Sequence, residues 1–273
     1  MTSYTVNGTQ LAVLERGRGL PVLLVHGFPL NHTMWDEQIE VLSSDYRVIA
    51  PDLRGFGRSG VTPGKVTMEQ FADDLAALVD AMGVGEPVVY CGLSMGGYIG
   101  WQFWRKYAAR LKALIVCDSR AVADTPEAAA NRLVLADRVL GEGPGVVAES
   151  MMPRLLPAST AQSRPDVAQA IGRMMTGNDP QGIAAASRGM AERPDVTALL
   201  PRIRCPVLVL VGELDVISPP AEMRSIAAAI PGSRCVEIPG SGHMSPMEKP
   251  AQVNAAILEF LAGVRRSGTA TGF

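Results

Sequence analysis

Short continuous apolar runs recur along this chain, at residues 21–25 (PVLLV), 46–50 (YRVIA), 88–91 (VVYC), 113–117 (ALIVC) and 206–211 (PVLVLV). Runs of this length without a regular polar alternate are what strands buried on both faces require. Between them the period lengthens: Trp35, Ile39 and Leu42 share one helical face, as do Phe71, Leu75, Leu78 and Met82. Thr67 with Gln70 three residues on forms a capping box ahead of the second stretch, and Gly83 closes it. Residues 98–106, 219–230 and 251–261 read as further helices, the middle one opening at Pro219-Pro220 and stopped by Pro231-Gly232. Strand and helix thus alternate, with a last strand at 235–238, which predicts an α/β fold: a mostly parallel twisted sheet, helices on both faces, right-handed crossovers. The start differs, because residues 4–6 and 11–14 flank Asn7-Gly8, a hairpin signal that predicts an antiparallel pair.

From 121 to 200 the pattern changes. No β-rich run occurs there, alanine and methionine rise, and Pro126, Pro144, Pro153, Pro157, Pro165, Pro180 and Pro194 break the stretch into short helical pieces. This predicts a helical lid (121–200) inserted into a core built from 1–120 and 201–264, with a polar tail at 265–273 that frays. Met151, Met152, Met174, Met175 and Met190 are expected mainly to pack lid on body, with an adaptable apolar pocket as the alternative. No internal repeat is visible.

Composition narrows the class. A chain of 273 residues, 47% hydrophobic, suits one elaborated domain with a sizeable core. A net charge of −2 supplies no basic field for nucleic acid or an anionic membrane surface, so small molecules are the expected partners. The first residues, MTSYTVNGTQLAV, lack a basic region followed by an apolar one, and no apolar run approaches the roughly 18 residues of a membrane span. A soluble, cytoplasmic protein is expected. Cys91 and Cys117 lie in apolar strands, Cys205 and Cys235 at strand edges, and no short spacing suggests zinc or a redox pair. They read as reduced and structural.

The polar residues that bear chemistry collect just after the strands, where ligands of such sheets bind. Residues 88–97 run strand, Gly92-Leu93-Ser94-Met95-Gly96, helix, the context of a GxSxG nucleophile elbow. A serine hydroxyl needs a base within hydrogen-bond reach and a carboxylate to orient that base. Of three histidines, His26 is tied into the turn after PVLLV and is expected to shape it, and His32 lies at a helix start. His243 sits in a glycine-bracketed loop past the last strand and is the best candidate. For the acid, Asp215 after PVLVLVGEL fits the placement, with Asp118 one strand earlier as its rival. Asp52, Arg54 and Arg58 are expected to fix a turn, Asp52 by bonding nearby backbone N–H groups. Lys106, Arg110 and Lys112 read as a solvated helix end, and Cys91 lacks a histidine partner for thiol chemistry.

HGFP, PDLRGFGRS, GLSMGG, GELD and PGSGH follow one another in the order of the α/β-hydrolase superfamily, which the chain resembles over residues 21–261 outside the lid. More narrowly it resembles the small esterase and lactonase branch that includes 3-oxoadipate enol-lactonases, cofactor-free haloperoxidases or perhydrolases, and carboxylesterases. The resemblance implies Ser94 as nucleophile, Asp215 as acid, His243 as base, and an oxyanion hole from the backbone N–H groups of Phe28 and Met95. It implies no cofactor or metal, and a small ester or lactone and water as partners. Serine at the apex departs from the haloalkane dehalogenases and epoxide hydrolases of the superfamily, which carry aspartate there. Perhydrolysis, thioester cleavage and carbon–carbon hydrolysis use the same triad, and the scaffold also serves non-hydrolytic ligand-binding proteins.

Overall fold

The computed structural model describes residues 1–269. Asn7 and Gly8, at φ 44° and 74°, turn β1 (Thr2–Val6) back onto β2 (Thr9–Arg16), with Tyr4 opposite Leu11. β3 (Pro21–Val25) leads through a single 3₁₀ turn (His32–Trp35) into α1 (Asp36–Leu42), then β4 (Arg47–Pro51), α2 (Met68–Ala81), β5 (Val88–Leu93), α3 (Met95–Tyr107) and β6 (Leu111–Cys117). Five helices follow: α4 (Pro126–Glu142), α5 (Gly145–Leu155), α6 (Ala158–Ser163), α7 (Pro165–Thr176) and α8 (Pro180–Ala191). The chain closes with β7 (Val207–Gly212), α9 (Pro220–Ala229), β8 (Arg234–Ile238), α10 (Ser245–Glu248) and α11 (Pro250–Thr269). Among the described residues eight strands form one sheet in the order β1-β2-β4-β3-β5-β6-β7-β8, antiparallel as far as β4 and parallel beyond it.

The unbroken apolar runs have a simple cause. Successive strand side chains point to opposite faces, so Leu23, Val25, Tyr90, Leu114 and Val209 enter one core while Val22, Leu24, Cys91, Ile115 and Leu208 enter the other. The first core is covered by Phe71, Leu75 and Leu78 of α2 and by Met223 and Ile226 of α9; the second by Trp35, Ile39, Leu42 and by Val253, Ile257 and Leu261 of α11. A strand covered on both sides has no face left for a polar residue. β8, at the sheet edge, shows the contrast: only Ile238 of its five residues is buried.

Local signals set most boundaries. The Thr67 hydroxyl accepts the Gln70 N–H at 3.2 Å to start α2, and Gly83 follows its end at φ 64°. The prolines of the insertion mostly start helices: Pro126, Pro165 and Pro180 occupy first turns, where a missing N–H has no cost. Pro153 departs from the expectation that it breaks the chain; it is accommodated inside α5, in the last turn. Two further boundaries differ. α11 continues past Leu261 to Thr269, so the tail expected to fray from Arg265 is helical that far, and the rest of it lies outside the described residues. The short α10 has no counterpart in the sequence reading. Among the insertion's methionines, Met174, Met175 and Met190 are buried in the cores. The four cysteines are free thiols, and among the described residues no helix is long and apolar enough to cross a membrane.

Candidate active site

Parallel strands deliver their carboxyl ends to one rim, and register decides what meets there. Val25 pairs with Gly92 and Leu93 with Cys117, so the turn after β3 and the residues after β6 arrive beside the end of β5. Ser94 sits there at φ 53° and ψ −113°, a left-handed strained conformation for a residue with a side chain. Two glycines permit it. A Cβ on Gly92 would lie 2.4 Å from the Gly96 carbonyl oxygen, and one on Gly96 would lie 2.4 Å from that of Val25. Strand and helix therefore touch backbone to backbone, which throws Ser94 out at the apex. Its carbonyl accepts from Gly97 and Tyr98 N–H at 2.8 and 3.2 Å and from the Ser119 hydroxyl at 2.8 Å.

Two backbone segments lie beside this apex. Met95 is the first residue of α3, so its N–H has no acceptor within the helix and lies at the positive end of the helix dipole. Phe28 follows Gly27, and a Cβ on Gly27 would be 3.4 Å from Ser94 Cβ, which brings that turn against the elbow.

At the ends of the next strands His243 and Asp215 meet, both buried, with Nδ1 of the ring donating to Asp215 Oδ2 at 2.8 Å. The other carboxylate oxygen accepts the N–H groups of Ile217 and Ser218 at 2.7 and 3.0 Å, so the carboxylate cannot turn away. With Nδ1 donating, Nε2 is the acceptor nitrogen. Among the described residues no hydrogen bond joins Ser94 Oγ to this ring.

The loop that carries His243 is held on every side. Glu248 accepts from Gly242 and Met244 N–H at 2.9 and 3.1 Å, the residues on either side of the histidine, and takes the Thr160 hydroxyl at 2.9 Å. Burial pushes the Glu248 carboxyl above its usual range. The His243 N–H itself donates to Leu155 at 3.0 Å. Asp118, the rival acid, does not bond to His243. At φ 46° it accepts the Gly212 N–H at 2.7 Å and the Ser245 hydroxyl, so it ties the base of the Asp215 turn to the residue two beyond the histidine. Burial first, and then the nearby Asp215 charge, push its carboxyl well above the usual range.

The remaining polar residues stand mostly where the sequence reading left them. His26 Nε2 accepts the Leu53 N–H at 3.0 Å, and burial lowers its pKa to about 4. Burial alone would raise the Asp52 carboxyl, but bonds from the His32 ring and from the His32 and Arg58 N–H groups hold it below its usual value. Arg54 makes a buried two-point pair with Asp74, at 2.7 and 2.6 Å. Lys106 and Arg110 are not simply solvated, since they pair with Asp73 and Asp80. Three contributors had no sequence signal: Glu248, Ser245, and Asn178 at the end of α7. Asn178 donates to the Pro29 carbonyl at 2.8 Å and accepts from Gly57 N–H at 2.7 Å, pinning the turn that carries Phe28.

A cavity of about 390 Å³ opens between the rim and the insertion, with Phe28, Tyr98 and Ile217 on the sheet side and Leu135, Met151 and Arg154 on the other. Among the described residues no group of three or more His, Cys, Asp or Glu side chains converges as a metal site requires.

Known proteins share this fold. The family model described as alpha/beta hydrolase fold matches residues 21–250. The chain is 28% identical over 227 residues to 3-oxoadipate enol-lactonase 2 of Acinetobacter baylyi, covering 83% of each. Among solved structures it resembles a thermophilic esterase from Thermogutta terrifontis with malate bound, at TM-score 0.93 and 53% identity over 96% of this chain and 97% of that one. It also resembles the enol-lactonase from Burkholderia xenovorans LB400, at TM-score 0.89 and 29% identity over 96% and 100%.

Proposed function

Because this chain belongs to the α/β-hydrolase fold family, we propose that it is a serine hydrolase that cleaves a small carboxylic ester or lactone through an acyl-enzyme intermediate. The observation that carries the reading is the buried Asp215–His243 hydrogen bond on the rim that also holds the strained Ser94. Likeness to an esterase and to enol-lactonases supports the ester or lactone as substrate.

Ser94 Oγ attacks the carbonyl carbon while His243 Nε2 takes its proton; Asp215 holds the tautomer and stabilises the imidazolium. The tetrahedral oxyanion forms against the N–H groups of Phe28 and Met95, each such donor being worth about 10²–10³ in rate. His243 returns the proton to the leaving alcohol, then activates the water that frees Ser94. The α4–α8 insertion acts as the lid over the substrate. Four free thiols suit a reducing compartment, and the cytoplasm is the proposed location. Turnover of 4-nitrophenyl acetate is the test: Ser94→Ala and His243→Ala should each lose at least about 10³-fold in kcat, and full activity in either would sink the assignment.

A further inference from the structure

Asp118 and Ser119 follow β6, are both buried, and take no part in the chemistry above. Among the described residues the non-glycine positions with left-handed φ are Asn7, Ser94 and Asp118, the last at 46°. Asn7 belongs to the hairpin turn and Ser94 to the elbow; Asp118 stands in neither. Strain of this kind persists only where the surroundings enforce it, and it gathers at functional sites. The surroundings of Asp118 are specific. Its N–H donates to the Leu210 carbonyl of β7 at 2.9 Å, and its carboxyl accepts the Gly212 N–H at 2.7 Å and the Ser245 hydroxyl. Gly212 in turn accepts the Asp215 N–H at 3.1 Å, and Ser245 lies two residues beyond His243. On either side of Asp118 the bonds run to the elbow instead. The Ser94 N–H donates to the Cys117 carbonyl at 2.9 Å, and the Ser119 hydroxyl donates to the Ser94 carbonyl at 2.8 Å. A Cβ on Gly97 would lie 2.3 Å from Ser119 Oγ, so α3 approaches this closely only because residue 97 has no side chain. Residues 117–119 thus bond to the elbow, to the turn that carries Asp215 and to the loop that carries His243.

We propose that Asp118 and Ser119 are positioning residues, a two-residue spacer after β6 that fixes how far Ser94, Asp215 and His243 stand from one another. The proposal rests on the hydrolase reading above and assigns it two residues outside the triad. An aspartate suits the place for two reasons. Its two carboxyl oxygens take a donor from each neighbouring segment at once, and its short polar side chain tolerates the left-handed region better than most. Proton transfer from serine to imidazole depends on their separation, and a misplacement of about 1 Å costs about 10²-fold in rate.

Asp118→Gly separates the bonds from the backbone, because glycine adopts this φ freely while both acceptors are lost. Asp118→Asn keeps an oxygen for Gly212 and sets an amide against the Ser245 hydroxyl, which accepts as well as donates. On 4-nitrophenyl acetate, kcat should fall about 10- to 100-fold in Asp118→Gly and about tenfold in Ser245→Ala, with KM within about twofold, while Asp118→Asn stays within about threefold of the wild type. The double variant Asp118→Gly/Ser245→Ala should be no slower than Asp118→Gly, since the two changes break one bond from opposite ends. The NMR resonance of the proton on His243 Nδ1 should move in both single variants, a change that lower stability alone does not produce. Wild-type kcat in Asp118→Gly or in Ser245→Ala, losses that add in the double variant, or an Asp118→Asn as slow as Asp118→Gly overturns the proposal. Should Asp118→Gly fail to fold, kcat and the proton resonance of Ser245→Ala decide it. That resonance also separates the two levels. Full activity in Ser94→Ala would remove the hydrolase reading, whereas a His243 proton unmoved by Ser245→Ala would remove the spacer whatever the protein turns over.

Discussion

Asp215→Asn is the substitution that tests most sharply whether the acid–base pair works as its geometry implies. The N–H groups of Ile217 and Ser218 both donate to one side-chain oxygen, at 2.7 and 3.0 Å, and an amide nitrogen cannot accept them, so an asparagine must keep its carbonyl oxygen there. Its amide N–H₂ then faces His243 Nδ1, where Oδ2 now accepts at 2.8 Å. A donor cannot meet a donor. The imidazole therefore presents its lone pair at Nδ1 and carries its proton on Nε2, leaving no acceptor for the serine proton. For a buried triad with its geometry otherwise intact, this costs about 10⁴ in kcat, about 5 kcal/mol of barrier. Stability should change little, because every hydrogen-bond position stays filled. Asp215→Ala behaves differently: it also orphans the Ile217 and Ser218 N–H groups, at about 1–3 kcal/mol each. Initial rates on 4-nitrophenyl acetate, read with thermal melting of both variants, check the two effects. An Asp215→Asn protein that melts like the wild type and keeps more than about a tenth of its kcat would show that Asp215 does not set the tautomer of the base.

Three further outcomes follow from groups around the rim. The folded protein holds His26 neutral, with a pKa of about 4 against 6.5 when unfolded. The unfolded chain thus binds the extra proton between those values, and stability falls by up to about 3 kcal/mol as pH drops from 6.5 to 4; chemical denaturation of His26→Gln across that window should lack this component. Asp118 is the reverse case, since its carboxyl is raised above 3.8 in the fold. Its contribution is full at acid pH and is lost as pH climbs towards its own value, so Asp118→Asn should gain on the wild type in melting temperature from pH 4 to 8; a constant difference would refute the buried, raised carboxyl. Asn178→Ala orphans the Gly57 N–H and frees the Pro29 carbonyl. It should cost about 1–3 kcal/mol and lower kcat on 4-nitrophenyl acetate, and an unchanged kcat would show that the Phe28 turn does not need this anchor.

What the sequence could and could not reveal divides along physical lines. Strands covered on both faces must be apolar throughout, so the parallel core was visible as PVLLV, VVYC and PVLVLV; the capped helix after Thr67 was visible because its start depends on one local bond. Glycines that allow backbone contact mark the elbow in the sequence itself, and the loop after each strand could be ordered along the chain. Long-range contacts left no such trace. Nothing local distinguishes Glu248, which accepts from both sides of the histidine loop, from a solvated glutamate on a short turn. Asp118 and Asp215 both end buried strands, and only the position of His243 after β8 decides which of them faces the ring. The extent of α11 was missed because its last turns are polar and glycine-containing, features that read as a tail until Val264 is seen buried against the sheet.

The supports of His243 also change what the insertion is for. Leu155 at the end of α5 accepts the His243 N–H, and Thr160 in α6 donates to the carboxyl that holds Gly242 and Met244. The core contributes from the opposite direction, through Asp118 on Ser245. The position of His243 is therefore set from two bodies of structure, and a shift of the segment joining α5 to α6 would carry the imidazole with it. A covering that only enclosed substrate would, when altered, change KM and selectivity. If His243 is the base, as proposed, a covering that also holds it must alter kcat, even for an ester as small as 4-nitrophenyl acetate that leaves most of the cavity empty. Thr160→Val keeps the shape and removes the hydroxyl donated to Glu248, and a fall in kcat on that ester with KM unchanged is the result this coupling requires.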